Sequence, residues 1–237
     1  MITIKKGNIF TTNSQIIVNT VNCVGVMGAG IALEFKMRYP KMFDDYQRFC
    51  ESGEIKIGNL WIYNDINQEQ NSACSRVLNF PTKKHWKDLS SLNYLEKGLE
   101  KFLLTYQQKG ITSIAFPLLG ASLGGLPEEL VLKTMKHYLN QVDNNVDVEI
   151  WYFDAEAKDD VFDKLTEYFS QFDDQLIKEK SGLGISAIKK IREASNQDNI
   201  NSIGSLLGVK GIGKISVEKL FNFIKKKRSV SENLSLF

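Results

Sequence analysis

The chain has 237 residues, 43% hydrophobic and 24% charged, which is enough to bury a sizeable core and longer than a domain of about 100 to 150 residues, so one full domain plus an appendage is expected. No stretch reaches the roughly 18 uninterrupted apolar residues of a membrane helix, and MITIKKGNIF lacks the order of a secretion signal, so no membrane association and a cytoplasmic location are expected. The net charge is +2, and Cys23, Cys50 and Cys74, without CxxC spacing and with only His85 and His137 to supply imidazoles, support neither a disulfide framework nor a zinc site, and no metal is expected.

Runs rich in β-branched and aromatic residues fall at 2–5, 15–21, 58–64, 75–80, 111–117 and 147–153 and predict strands. Between them lie segments with apolar residues three and four apart. The clearest runs from Leu92 to Gln108, where Leu92, Leu95, Leu99, Phe102, Leu103 and Tyr106 share one face and Gly110 supplies a stop. Strands alternating with helices predict an α/β fold, a three-layer α/β/α domain on a mixed or mostly parallel sheet over residues 1–155, with ligands beyond the carboxyl ends of the strands. A helix is expected around Val161 to Phe172, inside a helical linker over 156–180, followed by a small all-α module over 181–237. From Lys178 onward 12 Lys and Arg face 5 Asp and Glu, a net +7 that leaves the first 177 residues at −5. Such a basic tail is a footprint for a polyanion, or a solvated lysine-rich surface.

Three segments carry candidate chemistry. The first, VNTVNCVGVMGAGIA, passes from a strand through Gly25, Gly28 and Gly30 into a helix, so backbone N–H groups can approach a phosphate at a helix N-terminus. No GKS or GKT follows, which excludes a P-loop, and no acidic residue stands where a dinucleotide fingerprint needs one. The second, NFPTKKHW, places Lys83 and Lys84 at the end of a strand, where a lysine ordinarily reads as a solvated surface charge, with His85 and Trp86 either stacking on or hydrogen-bonding with a base or packing in the core. A lysine in a partly desolvated cleft beside a sugar anomeric carbon can attack as an amine or stabilise the departing group. The third, PLLGASLGGLPE, again leads from a strand through glycines toward a helix. Two such loops can clamp a diphosphate, or simply close short connections.

In this order and spacing the three segments resemble the macrodomain family, in the branch of DarG-like DNA ADP-ribosyl glycohydrolases, antitoxins of DarT-type toxins, and of the human terminal ADP-ribose protein glycohydrolase. The resemblance covers about residues 1–155. It implies an ADP-ribose site without a cofactor, bound by Asn8 and Ile9 near adenine, Asn22 at the distal ribose, Asn19 as a further ligand-binding residue, and Gly28, Ala29, Gly30 and Ile31 together with Pro117, Leu119, Gly120, Ala121, Ser122, Leu123 and Gly124 around the diphosphate and ribose. It implies Lys83 as the catalytic residue, with Lys84 as the alternative. Asn8 stands where most members have Asp. Gly124 stands where the human enzyme has a second catalytic group, an aspartate, which favours the DarG-like branch. Ser122 replaces a usual glycine and would crowd the ribose if the backbone there needs positive φ.

In the tail, LLGVKGIGKISVEKL resembles a helix-hairpin-helix motif, with Val217 where alanine is usual. That resemblance implies weak, sequence-independent DNA binding through Lys210, Gly211, Gly213 and Lys214, added to contacts by Lys84, His85 and Trp86 near the first site; the alternative is a helical hairpin for protein contacts. The expected function is removal of ADP-ribose from a DNA base, thymine, in a single strand, with a DarT-like toxin as a possible partner. A non-catalytic ADP-ribose reader and an eraser acting on protein carboxylates are the alternatives.

Overall fold

The computed structural model describes residues 1–65, 76–157, 159–197 and 199–231, with side chains to 224 in the last helix. Cys74, the first residue of the strand expected at 75–80, and the side chains of the 225–228 basic run lie outside the described residues. The chain divides into two compact units, Met1–Asp154 and Ala155–Phe237.

The first unit contains β1 (Ile2–Gly7), β2 (Ile16–Asn22), α1 (Gly30–Arg38), α2 (Pro40–Glu51), β3 (Trp61–Asn64), β4 (Arg76–Lys83), α3 (Leu92–Thr105), β5 (Ser113–Pro117), α4 (Glu128–Leu139) and β6 (Asp147–Phe153). The six strands form one sheet in the order β1-β6-β5-β2-β4-β3. Every neighbouring pair is parallel except β3 with β4, so the sheet is mixed, as expected.

The strands are apolar on both faces because both are covered. Alternate residues divide between two cores: Ile16, Val18, Leu78, Phe80, Ile114 and Phe116 pack with α3 and α4, whereas Ile17, Val21, Val77 and Ala115 pack with α1 and α2. This period-two split makes the three layers. Helix α3 carries the expected stripe, with Leu95, Leu99 and Phe102 buried, and ends three residues earlier than its periodicity predicts.

The second unit is helical: α5 (Asp160–Gln171), α6 (Asp174–Ser181), α7 (Ile185–Ser195), a 3-10 turn at Ser205–Gly208, and α8 (Lys214–Ser231). The stretch expected to be a linker is instead part of this unit. Arg192 of α7 bonds the Asp174 carboxylate at 2.9 Å and the Phe169 and Phe172 carbonyls, and the Tyr168 ring meets Phe223 of α8. Asp159, 4% exposed, caps α5 by accepting from Val161 N and Phe162 N and also accepts from Ile203 N at 2.9 Å. Charged acceptors of this kind contribute about 1.5–3 kcal/mol and caps about 1 kcal/mol. Asp159→Ala is therefore expected to destabilise this unit by about 2–4 kcal/mol in urea unfolding, and Asp159→Asn by less.

The weak internal repetition of the sequence has a structural counterpart at a shift of 29 positions, from Gly182 to Gly211 and from Gly184 to Gly213. Gly182 and Gly211 are both left-handed, and Leu183 and Ile212 are both buried. The Gly184 carbonyl accepts from Ala187 N and Ile188 N as the Gly213 carbonyl accepts from Ser216 N and Val217 N. At the same shift, Lys219 Nζ donates to Gly182 O at 3.0 Å, while Lys190 Nζ lies against Gly211. Two hairpins thus face each other's following helix.

Candidate active site

Because β4, β2 and β5 are adjacent and parallel, the loops that follow them leave one edge of the sheet together. These loops, 23–29, 84–91 and 118–127, carry the three sequence segments. They are tied to one another: Cys23 N donates to Lys84 O at 3.1 Å and Ser90 N to Gly124 O at 2.8 Å.

The first loop is built on Asn22, 7% exposed. Its Oδ1 accepts from Val24 N and Val26 N, and its Nδ2 donates to Val26 O at 2.6 Å. Beneath it the Tyr46 hydroxyl is shared between Asn22 O and Oδ1. Burial pushes the Tyr46 phenol pKa upward, so the group stays a neutral donor. Asn19 lies fully inside the domain, where its Nδ2 reaches Asn79 Oδ1 at 2.9 Å and Met27 Sδ at 3.9 Å; it supports the loops from below. Gly28 and Ile31 are half-buried, and Ala29 and Gly30 exposed, at the start of α1, where Ala29 has no side chain to cap the helix. That start is electropositive and open to an anion.

In the third loop Leu119, Gly120, Ala121 and Gly124 are buried, Pro117 is half-buried, and Ser122 and Leu123 face outward. Gly120 has φ +69, and a Cβ there would meet Ser90 Cβ at 2.9 Å; one at Gly124 would meet Ser90 Oγ at 2.6 Å. Both positions therefore need glycine, because Ser90 fills the space on their Cβ side. Ser122 has φ +44, a positive value held by no other non-glycine residue among those described. The backbone does demand the left-handed region that the sequence raised as a risk, at a cost of about 1–2 kcal/mol.

Lys83 crosses between the loops. Its Nζ donates to Leu123 O at 2.6 Å, and the Leu123 side chain, 64% exposed, lies over Gly30, where a Cβ would come within 2.9 Å of Leu123 Cδ1. Lys84, the first residue after β4, is exposed and directs its Nζ over the Tyr94 ring at 6.0 Å. After β1, Asn8 Oδ1 accepts from Phe10 N at 3.0 Å to cap a short 3-10 turn. Ile9 is buried there, and Arg38 lies over the Phe10 ring.

Burial pushes the Cys23 thiol up to about 11 and raises Cys50 as well, so neither is a thiolate nucleophile at neutral pH. Among the described residues no group of three His, Cys, Asp or Glu side chains gathers as a metal site. A groove lined by Phe49, Ile55, Leu60 and Trp61 involves none of the three loops. Of the residues expected at DNA, Lys84 and Trp86 are exposed and His85 half-buried on the second loop, and Lys210, Gly211, Gly213 and Lys214 are exposed in the second unit.

Sequence reasoning missed Ser90, Tyr46 and Asn79 as supports. Nothing local marks Ser90 or Tyr46; Asn79 sits inside a quoted segment, but only the β2–β4 register, Asn19 opposite Asn79, reveals its role.

A protein-family model described as Macro domain matches residues 18–135. A DNA ADP-ribosyl glycohydrolase of Mycobacterium tuberculosis is 43% identical over 129 residues, 54% of this chain and 36% of the relative. The solved macrodomain of Mycobacterium tuberculosis DarG is 40% identical, covers 64% of this chain and 97% of its own, and superposes with a TM-score of 0.60. Thermosipho africanus DarTG in complex with ADP-ribose is 32% identical, covers 64% of this chain and 41% of its own, with a TM-score of 0.58. The chain thus spans little more than a third of the curated Mycobacterium relative it matches. Among the described residues, no helix is long and apolar enough to cross a membrane.

Proposed function

The chain belongs to the macro domain family, and from that premise we propose that it is a cytoplasmic hydrolase that removes ADP-ribose from a modified DNA base, thymine, and so reverses a DarT-like toxin. The observation that carries the reading is Lys83, which reaches from the end of β4 to Leu123 O between the two glycine loops. The names of the relatives support it: two are a DNA ADP-ribosyl glycohydrolase and a DarTG bound to ADP-ribose.

In this reading the start of α1 and the 118–124 loop hold the diphosphate and distal ribose through backbone N–H groups. Asn22 shapes the ribose side of the first loop, and Asn8 and Ile9 border adenine. Lys83 acts at the anomeric carbon. Water adds across the C–N bond, its hydroxyl going to the anomeric carbon and its other proton to the base nitrogen; the Lys83 amine assists the departing base. The hairpin at Gly211–Gly213 tethers DNA non-specifically through Lys210, Gly211, Gly213 and Lys214, raising its local concentration.

Release of ADP-ribose from single-stranded DNA modified on thymine, with enzyme far below substrate, tests this. Many turnovers per enzyme are expected. Stoichiometric binding without release would identify a reader, and release from protein carboxylates alone would identify the other eraser.

A further inference from the structure

Resting on the proposed ADP-ribose site and deepening it, we propose that Ser90 is a positioning residue. When ADP-ribose binds, the Leu123–Gly124 peptide turns over, and the Leu123 carbonyl passes from the Lys83 amine to the Ser90 hydroxyl.

The hydroxyl is the starting point. Ser90 is 7% exposed, and its Oγ has no hydrogen-bond partner among the described residues, although its N–H is held by Gly124 O at 2.8 Å. A buried donor left unmade is costly, and such groups persist where a second arrangement of the site satisfies them. This one is aimed at the third loop: a Cβ on Gly124 would lie 2.6 Å from Ser90 Oγ, and one on Gly120 3.0 Å. The peptide that enters Gly124 is the one whose carbonyl, Leu123 O, holds Lys83 Nζ at 2.6 Å. A donor without an acceptor and the amine that the chemistry needs are thus separated by a single peptide group. The bond to Leu123 O aims that amine into the loop, whereas the proposed reaction needs it at the anomeric carbon.

The loop is built to turn. Reversing a peptide rotates ψ of the residue before it and φ of the residue after it in opposite senses. The residue after it is Gly124, which lies outside the positive-φ region here and enters that region without the penalty a side chain would bring. The present turn is closed by Gly124 N on Ala121 O at 2.7 Å and Gly125 N on Ser122 O at 3.0 Å, and it holds Ser122 at φ +44, strain of the kind found where a loop switches. Reversal breaks the Gly124 N bond and turns that N–H to the direction the carbonyl had, where it becomes a donor to an ADP-ribose oxygen. The bound form therefore gains a ligand contact and a partner for Ser90, and releases Lys83. These gains exist only with ligand present, which is the differential affinity that a ligand-driven change requires.

Ser90→Ala removes the hydroxyl and keeps the packing. Its Kd for ADP-ribose, by calorimetry, is expected to rise about 5- to 30-fold, the worth of one buried hydrogen bond. Its thermal midpoint without ligand should stay level or rise, because the free form loses an unpartnered group. Crystal structures of the wild type with and without ADP-ribose read the step directly: Leu123 O should bond Lys83 Nζ without ligand and Ser90 Oγ with it. A lowered midpoint with an unchanged Kd would make Ser90 a structural residue and sink the proposal. So would a Leu123 carbonyl that stays on Lys83 in the ADP-ribose complex. These readouts need binding and not turnover, so a reversed peptide in a protein that releases no ADP-ribose would refute the hydrolysis alone. A wild type that does not bind ADP-ribose would refute both.

Discussion

Lys83→Ala is expected to lower kcat for ADP-ribose release by about 100- to 1,000-fold, the range found when one preorganised donor is removed from a reacting centre. ADP-ribose affinity, measured by calorimetry, should stay within a few-fold, because the glycine loops supply their contacts from the backbone. The amine does double duty, since its bond to Leu123 O also links the end of β4 to the third loop. A small change in thermal midpoint is therefore expected beside the large loss in rate. Lys84→Ala should cost kcat less than about tenfold, for that side chain, on the loop after β4, is directed at the Tyr94 ring and not at Leu123 O. If Lys83→Ala turned over at the wild-type rate, the lysine would have no part in the chemistry.

Gly98→Ala is expected to destabilise the first unit by about 1–3 kcal/mol in urea unfolding. Judged by helix propensity alone the change should help, since glycine in a helix interior costs about 0.5–1 kcal/mol relative to alanine. A methyl at Gly98, however, would fall inside the Phe80 ring, with Cε1 at 2.5 Å. Phe80 is fully buried between β4 and α3 and cannot swing away without opening the core, so overpacking outweighs the propensity gain. The strain would fall on β4, three residues before Lys83; a partial loss of turnover at temperatures below unfolding is expected to accompany it. A neutral or stabilised Gly98→Ala would show that the helix can shift away from the sheet at little cost.

The three glycine and lysine segments were legible in the sequence because each is a local pattern: a strand's alternation, a change of period into a helix, and turn residues between. The six strands and the long helix α3 were legible for the same reason. The linker reading failed because a polar composition between two modules looks the same whether the segment is solvated or folded; what folds 156–180 into the second unit is a set of distant partners, Ile203 for Asp159 and Arg192 for Asp174. Likewise Gly98 reads as a flaw in a helix until Phe80 is placed against it.

The amino-acid sequence by itself determined that this chain is an α/β domain with glycine loops at strand ends and a basic helical appendage, since hydrophobic period, turn chemistry and charge are properties of neighbouring residues. Only the tertiary structure decided that the three loops share one edge, that Lys83 rather than Lys84 spans them, that Ser122 takes positive φ, and that Ser90 obliges Gly120 and Gly124 to remain glycine. Those outcomes depend on strand order and register, which bring together residues tens of positions apart and which no local pattern encodes.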